Sequence, residues 1–111
     1  MLIDFEAIQE TVVPQMRGGE KSVAMRTHAD SLCKIIRGKL IPGASIGFHT
    51  HETDSEVLYI LSGRGKILYD DTCETLAANS CHYCPKGHAH SLINDSDEDL
   101  IYFAVIPTHQ A

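Results

Sequence analysis

His49 and His51 stand two residues apart, and Glu56 follows five residues later. Residues two apart in an extended strand point to the same face, so the two imidazoles project towards one point. The carboxylate joins them if the chain turns between His51 and Glu56, and Thr53, Asp54 and Ser55 are residues that favour a turn. Two imidazoles and a carboxylate suit a divalent first-row metal and leave positions open for water or a small ligand. Further along, Pro85 and Gly87 mark a turn ahead of His88, His90 and Asn94. His90 heads a strand-like run, and a closed barrel would bring it beside the first three as a fourth ligand.

The rest of the chain consists of short runs that would position such a site. Val23 to His28 alternates in part, and CKIIRGKL, EVLYILSG, GKILYD, TCETLAA, CHYCP, HSLIN and DLIYFAVIP follow, with SIGFHTH carrying the first two histidines. Gly, Asp, Asn, Ser and Pro separate these runs, Asp70-Asp71 forms a hairpin turn, and Asn94 to Asp99 a polar loop. No segment holds a helical period of useful length. About eight short strands with turns between them predict an all-β sandwich or barrel. Residues 1–20 read as a lead-in segment broken at Pro14 and Gly18-Gly19, lying along the domain or a partner subunit, and residues 21–111 as a single domain.

At 111 residues, 43% of them hydrophobic, the chain is long enough to bury one core unaided. A formal net charge of −6 argues against nucleic acid and anionic membrane as partners. No apolar run approaches the roughly 18 residues of a membrane span, and the acidic N-terminus is unlike a signal peptide, so a cytoplasmic location is expected. Cys33, Cys73, Cys81 and Cys84 are then expected as reduced thiols. Cys81 and Cys84 have the spacing of a zinc or redox pair, but residues three apart on a strand face opposite sides, which favours two buried small hydrophobes.

Gly43, His49-x-His51, Glu56 and Gly63 together resemble the first motif of the cupin family, and Pro85-x-Gly87, His90 and Asn94 resemble the second. The second motif's leading glycine is replaced by Asn79, which also tolerates a left-handed backbone. The spacer between Gly63 and Asn79 is similar to that of small single-domain bacterial cupins. The resemblance implies a double-stranded β-helix, or jelly-roll barrel. It also implies one divalent transition metal ion (iron, manganese, zinc, nickel, cobalt or copper) held by His49, His51, Glu56 and His90, and a homodimer. It does not transmit a reaction, since cupins include dioxygenases, oxalate decarboxylases, isomerases and binding proteins. A metal-dependent dioxygenase or decarboxylase acting on a small oxygen-rich molecule is the leading expectation. The alternatives are a small-molecule-binding or sensing module without turnover and a sugar-phosphate isomerase.

Several other side chains are candidates for the pocket. His82 shares a strand face with Cys84 and is read either as a pocket residue or as an outward one. His88 is favoured as a loop histidine, His28 and His109 as exposed ones, and Asn94 as a residue that satisfies backbone. Tyr59 and Tyr83 are phenols able to donate near a metal, with core packing the commoner role. Arg26, Lys34, Arg37 and Lys39 would hold a carboxylate or phosphate only if one of them points inward; a solvated strand face is favoured for most, and Arg26, among apolar residues, stands out. Glu52 and Asp54 are the carboxylates nearest the ligands that would serve as proton donors in a decarboxylation.

Overall fold

The computed structural model describes residues 1–109. Ten strands account for the architecture: β1 (Thr11–Pro14), β2 (Ser22–Ala29), β3 (Cys33–Leu40), β4 (His49–Thr50), β5 (Glu56–Ser62), β6 (Arg64–Tyr69), β7 (Thr72–Ala77), β8 (Cys81–Cys84), β9 (Ala89–Ile93) and β10 (Leu100–Pro107). The helical elements among the described residues are two 3-10 turns, Phe5–Ala7 and Met16–Gly18. One sheet has six strands in the order β1-β2-β3-β10-β5-β8, the other four in the order β4-β9-β6-β7, and every pairing is antiparallel. Two facing antiparallel sheets with these crossovers form the jelly roll expected from the sequence.

Strand parity decides what faces the interior. In β5, Glu56, Leu58 and Ile60 are buried while Val57 and Leu61 are exposed, and in β10 Leu100, Tyr102 and Ala104 point inward. Val23, Leu40, Ile67, Leu76 and Leu92 complete a continuous core between the sheets. Each fully buried Leu or Ile contributes roughly 1.5–3 kcal/mol. One cross-strand pair fits by size: Gly38 lies opposite Tyr102, whose ring occupies the space a side chain at Gly38 would need.

The lead-in is more ordered than its composition suggests. Thr11 to Pro14 pairs with Ser22 to Met25 as the outermost strand of the larger sheet, so part of residues 1–20 belongs to the sheet. The 3-10 turn at Met16–Gly18 then packs against the entry to β4. Gly47 N–H donates to Met16 O at 3.0 Å, and Ser45 N–H to Glu20 O at 3.0 Å. A Cβ on Gly19 would collide with the Ser45 backbone and one on Gly47 with the Arg17 backbone, so only glycine permits this approach.

The turns follow the residues that make them. Asp70 (φ 50°) and Asn79 (φ 74°) both adopt the left-handed region, at the β6–β7 hairpin and ahead of β8. Asn94 is fully buried and donates to Leu40 O and Glu98 O, tying the 94–99 loop to the end of β3.

Candidate metal centre

His49 and His90 lie directly opposite each other on the antiparallel pair β4 and β9, in the smaller sheet. Glu56 opens β5 in the larger sheet and turns inward because it shares parity with Leu58 and Ile60. His51 follows β4, its N–H donating to His88 O at 3.0 Å and its C=O accepting from Gly87 N–H at 2.7 Å. The loop from His51 to Glu56 is fastened to the chain end: Ser55 N–H donates to Pro107 O, and His109 N–H to Thr53 O. These constraints gather the four side chains between the sheets. The three imidazole centroids are 4.8–5.0 Å apart, and Glu56 Oε1 lies 3.2 Å from His51 Nε2 and 3.0 Å from His90 Nε2.

Each imidazole is anchored through Nδ1. His49 Nδ1 meets Gly47 O at 2.7 Å, His51 Nδ1 meets Asp54 Oδ1 at 2.5 Å, and His90 Nδ1 meets His82 Nε2 at 3.1 Å. A nitrogen facing an oxygen acceptor carries the proton, which leaves Nε2 of His49 and His51 as lone pairs directed at the centre. His51 Nε2 and His90 Nε2 are only 2.9 Å apart, beside a buried carboxylate. So many acceptors facing one another need a cation or protons between them, and the donor set of three nitrogens and one oxygen fits a divalent transition metal.

The electrostatics carry the same signature. Burial pushes the Glu56 carboxyl up, but where protons rather than a metal ion lie between the groups, the hydrogen bonds from His51 and His90 outweigh it and hold it at about 2. The bond to Glu56 lifts His51 above the ordinary imidazole value, with Asp54 adding to it against burial. Burial lowers His49, and the neighbouring His90 and His51 lower it further.

His49, His51, Asp54 and Glu56 line a cavity of about 230 Å³. Met16, Met25, Ile36, Ile46 and Ile106 add an apolar lining, and Arg17, Lys34, Thr27 and Tyr102 add polar groups. Both carboxylates in this lining are engaged by histidine nitrogens.

Residues 37–106 match the family model described as a cupin domain. The chain belongs to the cupin family. This cupin is 33% identical, over 96% of its own length and 93% of the relative's, to an oxalate-binding protein from Thermotoga maritima. The crystal structure of a predicted oxalate decarboxylase from the same organism superposes with a TM-score of 0.91 at 30% identity, covering 97% of this chain and 99% of that one. A polyketide cyclase from Streptomyces resistomycificus superposes with a TM-score of 0.79 at 18% identity over 96% of this chain and 78% of its own, a likeness of fold alone.

The cupin places the remaining candidates as follows. His82 is buried and inward, against His90 rather than in the cavity lining. With Cys84 and His90 it forms a second buried cluster of ligand-type groups, in which burial pushes the Cys84 thiol up to about 11. Cys81 points outward and is exposed, so only one of the two cysteines is the buried hydrophobe expected. His88 bonds to Asp70 at 2.6 Å and stacks on Tyr69. His28 is half-buried rather than exposed, near Asp30, whereas His109 is exposed and bonded to Ser55 Oγ.

Neither tyrosine singled out from the sequence reaches the centre: Tyr59 donates to Asn79 Oδ1 and Tyr83 is 56% exposed. Arg26 holds the lead-in, donating to Ile8 O at 2.5 Å and Phe5 O at 3.3 Å, and Arg37 sits 3.8 Å from Glu6 on the same outer face. Asp54 proves to be a support for His51, and Glu52 is exposed. Arg17 and Tyr102 escaped notice in the sequence. Only the glycines at 19 and 47, which let two distant segments touch, hint at Arg17.

Proposed function

We propose that this cupin binds one divalent transition metal through His49, His51, Glu56 and His90 and uses it to capture oxalate or a closely related small carboxylate. One observation carries the reading: Arg17 and Lys34 line the same cavity as His49, His51 and Glu56, and the carboxylates of that lining, Asp54 and Glu56, are already taken by histidines. A bound metal would supply an electrophilic centre able to chelate a dicarboxylate. The chain's own part is to orient the ligand nitrogens, offer cationic partners to the anion and line the remainder with apolar side chains that keep water out.

Binding without turnover fits this pocket better than decarboxylation does, since a proton donor is needed for the latter and Asp54 and Glu56 are both occupied. The oxalate-binding relative supports the same choice. The apolar lining of Met16, Met25, Ile36, Ile46 and Ile106 favours a second reading, oxygen chemistry of the dioxygenase kind on a less polar acid. Calorimetric titration of oxalate into metal-loaded and chelator-stripped protein tests the first reading. Heat only in the loaded sample, with no carbon dioxide, formate or oxygen uptake on long incubation, is the expected result; equal binding by both samples would sink it.

A further inference from the structure

His90 has two faces, and only one belongs to the metal centre. Its Nε2 sits 3.0 Å from Glu56 Oε1, while its Nδ1 lies 3.1 Å from His82 Nε2. His82 projects inward from β8, is 5% exposed and takes no part in the cavity lining. The edge of its ring meets Tyr69, with centroids 5.4 Å apart, and its own Nδ1 lies 3.5 Å from Glu74 Oε1, on a side chain that is 54% exposed. A row of three side chains therefore runs from the buried ligand, through a second buried histidine, to a carboxylate at the surface. The other two ligand histidines rest on oxygen acceptors, Gly47 O and Asp54 Oδ1. His90 alone rests on a group that can either donate or accept.

That difference leaves the tautomer of His90 to be set by its neighbour. For His90 Nε2 to present a lone pair, its proton must be on Nδ1, and His82 Nε2 must accept it. His82 then carries its own proton on Nδ1, the nitrogen facing Glu74. We propose that His82, held by Glu74, is a positioning residue for the metal centre: it accepts the His90 Nδ1–H bond and so turns the His90 Nε2 lone pair towards the ion. The proposal rests on the metal reading given above. Hydrogen-bond partners of metal-bound histidines typically change affinity 10–100-fold when removed.

The test compares the parent with His82→Leu, which keeps bulk and loses the acceptor, and His82→Gln, which keeps an amide oxygen. Co(II) affinity is measured by competition with a chromophoric chelator, together with the Co(II) visible spectrum, ion count and metal-free melting temperature. His82→Leu is expected to bind Co(II) about 10–100-fold more weakly, with an altered spectrum. His82→Gln should recover most of the affinity, and Glu74→Gln should show a smaller loss. Independently of any variant, long-range proton–nitrogen NMR of the Zn(II)-loaded parent should find the His90 proton on Nδ1.

Parent-like affinity in His82→Leu, no recovery in His82→Gln, or no proton on His90 Nδ1 would overturn the proposal while leaving the metal reading intact. Two Co(II) ions per parent chain, one of them lost in both His82→Leu and Cys84→Ser, would overturn it by making His82 a ligand. A parent that takes up no Co(II) overturns both readings.

Discussion

Asp54 shows how much depends on a single side chain beside the centre. Its Oδ1 holds His51 Nδ1 at 2.5 Å, so Asp54→Asn keeps the shape but weakens the charge that fixes the ring. Metal affinity in that variant should fall roughly 10-fold or more, measured by chelator competition. His51→Ala or His90→Ala should strip most of the metal, seen by elemental analysis, while the far-ultraviolet circular dichroism stays that of a β barrel. Acid acts through the same groups with a definite sign. His51 titrates above the ordinary imidazole value of 6.5, so a metal ion competes with a proton there at neutral pH and below. Affinity should therefore drop roughly 10-fold per pH unit for each proton displaced as pH falls from about 7 to 5. Glu56, held at about 2, stays ionised across that range and adds nothing to the slope.

Among the elements, the strands carrying Glu56 and His90 were legible from sequence, whereas the expected strand SIGFHTH is reduced to His49–Thr50 with His51 beyond it, and the turn that brings Arg17 to the pocket had no local signal. Period-two alternation is a local property, which is why β5 and β9 and the shared face of Glu56, Leu58 and Ile60 follow from residue order, while the closure of the barrel decides that this face and His90 point inward. Arg17 reaches the cavity through contacts between residues 16–20 and 45–47, and no local pattern encodes contact across that distance. The strand Thr11–Pro14 was hidden for a related reason: four residues ending in proline carry little strand signal until β2 offers them a partner. Sequence leaves His82 open because parity says which residues share a face but not which face is inside. The close approach of the 3-10 turn makes a prediction of its own. Gly47→Ala should cost roughly 1–3 kcal/mol by overpacking, read from chemical denaturation, and should weaken oxalate binding more than metal binding because it displaces Arg17.

At the scale of the molecule, the six-stranded sheet ends in β1 on one side, with Val12 59% exposed, and Met1 and Leu2 are exposed nearby in sequence. An apolar edge strand invites pairing with a second copy, which supports the homodimer that the family resemblance implies. Val12→Lys should then shift sedimentation towards the monomer; an unchanged profile would place the interface elsewhere. β4 is only two residues long, and it joins the smaller sheet through the pair His49–His90 and Thr50–Ala89. A metal ion shared by His51 and His90 would act beside it as a reversible cross-link, spanning 39 residues of chain much as a disulfide would. Because the unfolded chain holds no such site, an ion at 100 times its dissociation constant adds about 2.7 kcal/mol to the folded state. Metal supply would thus govern how long the protein survives proteolysis, and the His51 amide, which donates to His88 O, should exchange with solvent fastest in protein deprived of it.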